Sequence, residues 1–207
     1  MGAPGLTSPI RTEAFQKFQL NAGIFLTGLD YSSITDATAL KTAISSAITA
    51  GTTILGVTRG GGTFTVTKEL RTPEVDGTRY PFKGQDFVDS VDAFLSGTLL
   101  EATPDNFKRL LGTADVSTSG KKTTITMHTA INTSTDYIEK LCWVGDLADG
   151  QLVLIELDNA INTSDFSLTF TDKGEGTLTF EFHARQSGVS DYDNAPFRIV
   201  FFDLPST

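Results

Sequence analysis

Residues that could carry chemistry are few in this sequence, and they fall in separate segments. The two histidines, His128 and His183, each lie on the polar side of a predicted strand, and neither stands beside a serine or cysteine in a nucleophile motif. The single cysteine, Cys142, precedes Trp143 in an apolar stretch without a cationic neighbour that would activate its thiol. We therefore expect surface or hydrogen-bonded histidines and a buried thiol.

Three further segments have residue types that suit ligands but lack the spacing of a known site. The glycine-rich segment 59–63 has neither a P-loop ending nor Rossmann spacing, and it precedes a predicted strand. The carboxylates Asp86, Asp89 and Asp92 would share a helix face, but a strand sends Asp89 to the opposite side. Segment 191–194 offers oxygen ligands without the glycine and glutamate of an EF-hand loop. The sequence predicts no catalytic residue, no cofactor and no metal site, and we expect a protein that is not an enzyme.

Composition narrows the class of protein further. The chain has 207 residues, 39% of them hydrophobic and 15 of them Phe, which is enough for a sizeable core. One cysteine excludes an internal disulfide framework, and the apolar segments are far shorter than the roughly 18 residues of a membrane span. The net charge of −9 and the pI of about 4.6 disfavour a protein that grips a nucleic-acid backbone. They suit a surface past which DNA slides.

The elements that must position these residues are mainly strands. Helical spacing of apolar residues predicts a helix at about 36–50, and a proline and a glycine bracket a short helix at about 104–111. Alternating threonine and apolar residues predict a strand that runs into a long hairpin loop at 69–84, with a return strand at 85–101. Turn residues separate further strands, expected near 123–130, 137–146, 151–158, 165–172, 176–185 and 196–203.

The domain organisation follows from where the periodic patterns begin. Residues 1–24 show no sustained period and are predicted to form an N-terminal arm. The remaining residues, 25–207, are predicted to form a single, mainly β domain.

Eight segments, in order along the chain, resemble major tail tube proteins of long-tailed bacteriophages. They are LGVTRGGGTF (55–64), RTPEVDG (71–77), KG (83–84), GTLLE (97–101), YI (137–138), WVG (143–145), DG (149–150) and DKGEG (172–176). The similarity covers most of residues 18–185 and extends to the tube proteins of phage-tail-like bacteriocins.

This resemblance implies a fold, an assembly and a set of partners. The fold would be mainly β (α+β), an antiparallel β-sandwich or half-barrel with a long protruding hairpin and one or two short flanking helices. Subunits would form hexameric rings with a continuous inner β-barrel, stacked into a virion tail tube that is assembled in the host cytoplasm and conducts DNA into the host. Partners would be further copies, tape measure, tail terminator and tail-tip proteins, and DNA in transit without specific binding, with no membrane.

Two sets of site residues follow for such a tube. In tail tubes the long hairpin reaches neighbouring subunits and rings, so the resemblance implies contacts at the hairpin tip: Pro73, Glu74, Asp76, Gly77 and Arg79. An acidic lumen repels phosphate, which favours carboxylates on the polar side of inner strands. The carboxylates that fit are Glu69, Asp86, Asp92, Glu156 and Glu181.

Two alternatives remain open on sequence alone. One is a β-sandwich module of a phage or cell surface that binds carbohydrate or a receptor, with Tyr80, Trp143 and Tyr192 as stacking platforms for sugars. The other is a hydrolase that uses His183 or the pair of Asp86 and Asp92, which lacks a supporting motif.

Overall fold

A computed structural model describes residues 23–51, 53–170, 172–188 and 194–205. The helices are α1 (Ala37–Ala50) and α2 (Pro104–Leu111). The strands are β1 (Ile24–Thr27), β2 (Thr58–Arg71), β3 (Phe87–Leu99), β4 (Ala114–Ser119), β5 (Lys122–Met127), β6 (Ile138–Asp146), β7 (Leu152–Asn162), β8 (Leu168–Thr169), β9 (Thr177–His183) and β10 (Phe197–Phe202). The predicted N-terminal arm lies outside the described residues except for its last two positions.

The prediction of a mainly β fold with an antiparallel sheet is confirmed. Eight strands form one sheet in the order β1-β6-β7-β9-β3-β2, while β10 pairs with β7 and β8 pairs with β9. Strands β4 and β5 form a separate two-stranded ribbon. Strand β7 is the branch point, because β10 and β9 pair with different parts of its length.

The sheet folds over at β7, so that its two halves face each other. Phe25 of β1 meets Phe180 of β9 edge to face, with ring centroids 5.2 Å apart. Phe64 of β2 meets Phe197 of β10, with centroids 5.6 Å apart. None of these strands are hydrogen-bonded neighbours, so the contacts join two layers. We call β1, β6, β7 and β10 the helix-side half. We call β2, β3 and β9 the arm-side half, after the hairpin of β2 and β3, which is named the arm below and is distinct from the N-terminal arm.

Two apolar cores result. The interior core lies between the halves and includes Leu95, Leu157 and Phe182, each no more than 1% exposed. The helix-side core lies between α1 and the other face of the helix-side half, where Leu40 packs with Cys142 and other buried residues. Each inward side chain that is removed from water stabilises the fold by about 1.5–3 kcal/mol.

Both helices lie where the sequence predicted them, because their ends are locally encoded. The Asp36 side chain accepts a hydrogen bond from the backbone N–H of Ala39 (2.9 Å), and Gly51 ends α1 with a φ of 68°. Thr103 caps α2 in the same way, and Gly112 ends it. No helix in the described ranges is long and apolar enough to cross a membrane.

Several predicted strand limits are wrong. The strand expected at 151–158 continues as β7 to Asn162, whose side chain is buried and hydrogen-bonded. Its amide donates to the carbonyl of Leu110 (2.7 Å) and its Oδ1 accepts from the N–H of Glu181 (2.8 Å). The strand expected at 165–172 is reduced to the two residues of β8, and β1 and β4 were not predicted.

Candidate functional site

The hairpin of β2 and β3 extends beyond the rest of the fold. Strand β3 pairs with β9 only from Phe94 onward, so residues 66–91 have no strand partner among the described residues except each other. All of these residues are exposed except Pro73, Thr78 and Gln85, which are half-buried. We call residues 66–91 the arm. It is the protruding hairpin that the alternation of β2 predicted.

The loop of the arm has a defined shape. The Gln85 side chain donates to the carbonyl of Pro73 (2.5 Å) and accepts from the N–H of Phe82 (2.8 Å). Gly77 has a φ of 82°, which favours glycine in the tight turn at the tip. The loop contains all five residues predicted to contact other subunits: Pro73, Glu74, Asp76, Gly77 and Arg79.

One face of the arm is mainly apolar, with Lys68 among its apolar side chains, and the described residues leave it uncovered. Val66, Leu70, Val88 and Val91 are 41%, 53%, 59% and 46% exposed, and we call these four residues the arm stripe. Leu70 stands directly opposite Val88 in the hairpin, and cross-strand partners share a face. The same face carries Ala93 further along β3, which belongs to the interior core. The arm stripe therefore continues the interior face beyond the region on which the helix-side half packs.

The opposite face of the arm-side half is polar. Cross-strand pairing puts Thr65, Thr67, Glu69, Asp92, Ser96, Thr98, Thr179, Glu181 and His183 on this side, and we call these residues the polar face. It includes three of the five carboxylates predicted for a lumen. Phe94 and Arg71 lie on the same side, and Arg185 Nη1 lies 3.6 Å from a carboxylate oxygen of Asp92. Glu69 is exposed, and its carboxylate accepts from the Ser90 hydroxyl at 3.0 Å.

His183 holds two of those carboxylates together. Its Nδ1 lies 2.9 Å from a carboxylate oxygen of Asp92, and its Nε2 lies 2.9 Å from one of Glu181. The ring also stacks on Phe94, with centroids 4.7 Å apart. Both ring nitrogens are engaged, so neither is free to act as a general base. This confirms the prediction of a hydrogen-bonded histidine.

Glu156 is not on an exposed polar face, and this part of the lumen prediction is wrong. Its side chain is on the helix side of β7 and the residue is 1% exposed. It accepts hydrogen bonds from Arg198 Nη1 (2.6 Å) and the Tyr31 hydroxyl (3.2 Å). Burial, followed by the charge of Glu156, raises the pKa of Tyr31 to about 12. Glu156 is thus a paired, buried carboxylate of the helix-side core.

The fifth predicted carboxylate lies at the base of the arm loop. Asp86 is the residue before β3, and it accepts a hydrogen bond from the Thr72 hydroxyl at 2.5 Å. It is exposed and therefore remains available to a partner.

The other chemically notable residues support no catalytic site. Cys142 is fully buried, and burial together with the neighbouring Glu156 raises the pKa of its thiol. The described residues include no group of three or more side chains placed to hold a metal ion.

Trp143 is only 9% exposed, so it is not a surface platform for sugars, whereas Tyr80 is 80% exposed. Tyr192 lies outside the described residues.

Comparison with known proteins finds no matching family model and no matching curated protein. The arm stripe and the polar face are the features of the molecule from which a function can be inferred.

Proposed function

We propose that the protein is a non-enzymatic structural subunit that polymerises as stacked hexameric rings into a phage tail tube, which conducts DNA. The observation that carries this proposal is the arm stripe. Four large apolar side chains are exposed around Lys68 on one face of the hairpin, and an exposed apolar patch of this kind marks a site of protein–protein contact.

The open edges of the sheet support assembly of identical copies. Strand β2 has 14 residues, and among the strands that the structure describes it pairs only with β3, while β10 pairs only with β7. An unpaired strand edge exposes backbone N–H and C=O groups, and closing such sheets into a ring removes the edges. Head-to-tail contacts that close by rotation give a ring, and stacked rings give a tube. In such a tube the arm-side halves form the continuous inner barrel, and the arm tip reaches a neighbouring subunit or ring.

The polar face supports a lumen for DNA. It carries Glu69, Asp92 and Glu181 among threonines and serines, and the chain as a whole has a charge of −9. A negative wall repels phosphate and keeps DNA from adhering during passage. Glu156 has no part in this lumen because it is buried under the opposite face of the fold.

Electron microscopy of the purified, concentrated protein tests the assembly. We expect hollow tubes or six-membered rings, with light scattering reporting the same mass in solution. Leu70→Asp should prevent assembly because it buries a charge in the contact, whereas Ile131→Asp, also at an exposed apolar residue but outside the arm, should not. A wild-type chain that stays monomeric even when tail-tip proteins are supplied contradicts the proposal. A monomer that binds glycans would favour the carbohydrate-binding alternative.

A second experiment tests the lumen within assembled tubes. Thr65→Lys and Thr179→Lys place cations on the polar face, and Thr118→Lys places one on the separate β4–β5 ribbon. We expect tubes of the first two variants to retain labelled double-stranded DNA at low salt and to release it as salt rises. Wild-type and Thr118→Lys tubes should retain little. Equal retention by all four would place the polar face outside the lumen.

A further inference from the structure

A second apolar surface lies on β10. Ile199 and Phe201 are 49% and 62% exposed, and we call these two residues the β10 strip. They alternate with Phe197 along the strand and therefore share its face, and Phe197 packs against the interior core. The β10 strip is thus also part of the interior face, on the other layer of the fold.

One contact within the chain shows how the two layers meet. Phe64 of β2 packs on Phe197 of β10 with ring centroids 5.6 Å apart. Beyond Phe64 the interior face of β2 continues into the arm stripe, and beyond Phe197 the interior face of β10 continues into the β10 strip. Each strand therefore meets the other layer within the body of the fold and is left uncovered by the described residues further along.

We propose that the arm stripe of one copy packs on the β10 strip of a second copy. The neighbour's arm then covers the open margin of the interior core, repeating between chains the packing that Phe64 and Phe197 make within one. Each copy gives an arm on one side and receives an arm on the other, which is a head-to-tail contact that can close a ring. This inference rests on the proposed function in one respect, which is that the partner is another copy of this chain.

Charge selects this pairing over contact between two arms. Lys68 is exposed in the middle of the arm stripe, opposite Val91. The far end of the β10 strip is acidic, because Asp203 follows β10, Asp146 is the last residue of β6 and Asp149 lies in the adjoining β6–β7 turn. A hydrogen bond between Gln151 and Asp203 joins these two segments. Seating an arm on β10 brings Lys68 towards carboxylates, whereas two stacked arms would bring two lysines together.

Cross-linking between two variants, each with one added cysteine, tests the pairing. Val88→Cys marks the arm, Phe201→Cys marks β10, and the native Cys142 is fully buried. The two proteins are mixed under assembly conditions and treated with a short bismaleimide. We expect covalent dimers in the mixture and few in either protein alone. Wild type treated in the same way gives the background from Cys142.

Every other pattern of products overturns the inference. Dimers of Val88→Cys alone would show that arms pair with arms, and dimers of Phe201→Cys alone would show that β10 pairs with β10. A chain carrying both substitutions that links internally would show that its own arm covers its own β10. If wild-type tubes form but the mixture gives no dimer, this docking fails while the proposed function stands. Absence of any wild-type assembly is instead a failure of the proposed function.

A charge exchange tests the orientation of the arm. Lys68→Glu should reduce the cross-linked yield about three- to fivefold, the amount expected for one surface ion pair. Combining it with Asp203→Lys in the partner variant should restore the yield. Lys41→Glu makes the same change of charge on an exposed position of α1 and should have no effect. A yield that Asp203→Lys does not restore would place Lys68 away from the acidic end of β10.

Discussion

Strand β3 has the same alternating pattern at both ends of its interior face, but the two ends have opposite environments. Ala93, Leu95 and Leu99 are at most 2% exposed, whereas Val91, two residues before Ala93, is 46% exposed. Nothing in the local backbone changes between Val91 and Ala93, since both lie in regular pairing with β2. The two ends differ in exposure because the helix-side half packs over one end and no described residue packs over the other.

This difference shows that alternation along a strand identifies a face that suits burial but not the surface that buries it. In the body of the protein the covering surface is another part of the same chain, at β1, β6, β7 and β10. On the arm, the covering surface has to come from another molecule, and the proposed ring supplies it.

The largest expected effect comes from truncating the two ends of this face in turn. Leu95→Ala removes a side chain that is 1% exposed and should lower the free energy of unfolding by about 2–5 kcal/mol. Val91→Ala should change it by less than about 0.5 kcal/mol, because the side chain is already half in water. Urea denaturation of the unassembled protein measures both. Similar losses for the two variants would mean that the arm is covered within the monomer.

A smaller effect should separate two carboxylates in the same way. Glu156 is buried and bonded to Arg198 and Tyr31, so Glu156→Gln should lower the free energy of unfolding by about 1.5–3 kcal/mol, the value of hydrogen bonds to a charged group. Glu69→Gln, on the exposed arm, should cost less than about 0.5 kcal/mol. The comparison is again made by urea denaturation. A neutral Glu156→Gln would show that the buried pair contributes no net stability.

The sequence predicted features that depend on residues nearby in the chain. It missed features that depend on which distant segment packs over a surface. The cap at Asp36 and the stop at Gly51 fixed α1, and the alternation from Phe64 identified β2 together with the hairpin. The glycine-rich segment lies inside β2 and not before it, and Gly62 permits a close approach, since a Cβ there would lie 2.5 Å from Phe25. The burial of Glu156 could not be predicted, because alternation shows on which side of β7 the residue lies but not which segment packs over that side. The exposed arm stripe was missed for the same reason.

The smallest predicted effect compares two tyrosines at alkaline pH. Tyr31 lies in the body beside Glu156, and its phenol has a pKa of about 12 in place of about 10. A group whose pKa is higher in the folded state than in the unfolded state stabilises the folded protein fully at pH values below its unfolded-state pKa. This contribution is lost as the pH rises through its folded-state pKa. The free energy of unfolding should therefore fall between pH 10 and about 12 in wild type.

Tyr31→Phe should remove part of that decline, because phenylalanine has no phenolic proton to lose. Tyr80→Phe is the matched control, at a tyrosine that is 80% exposed on the arm. Urea midpoints measured from pH 9 upward, taken as differences from wild type, isolate the effect of each residue. An equal change in both variants would mean that the surroundings of the body and the arm act alike on a phenol, which contradicts the contrast between a covered body and an open arm.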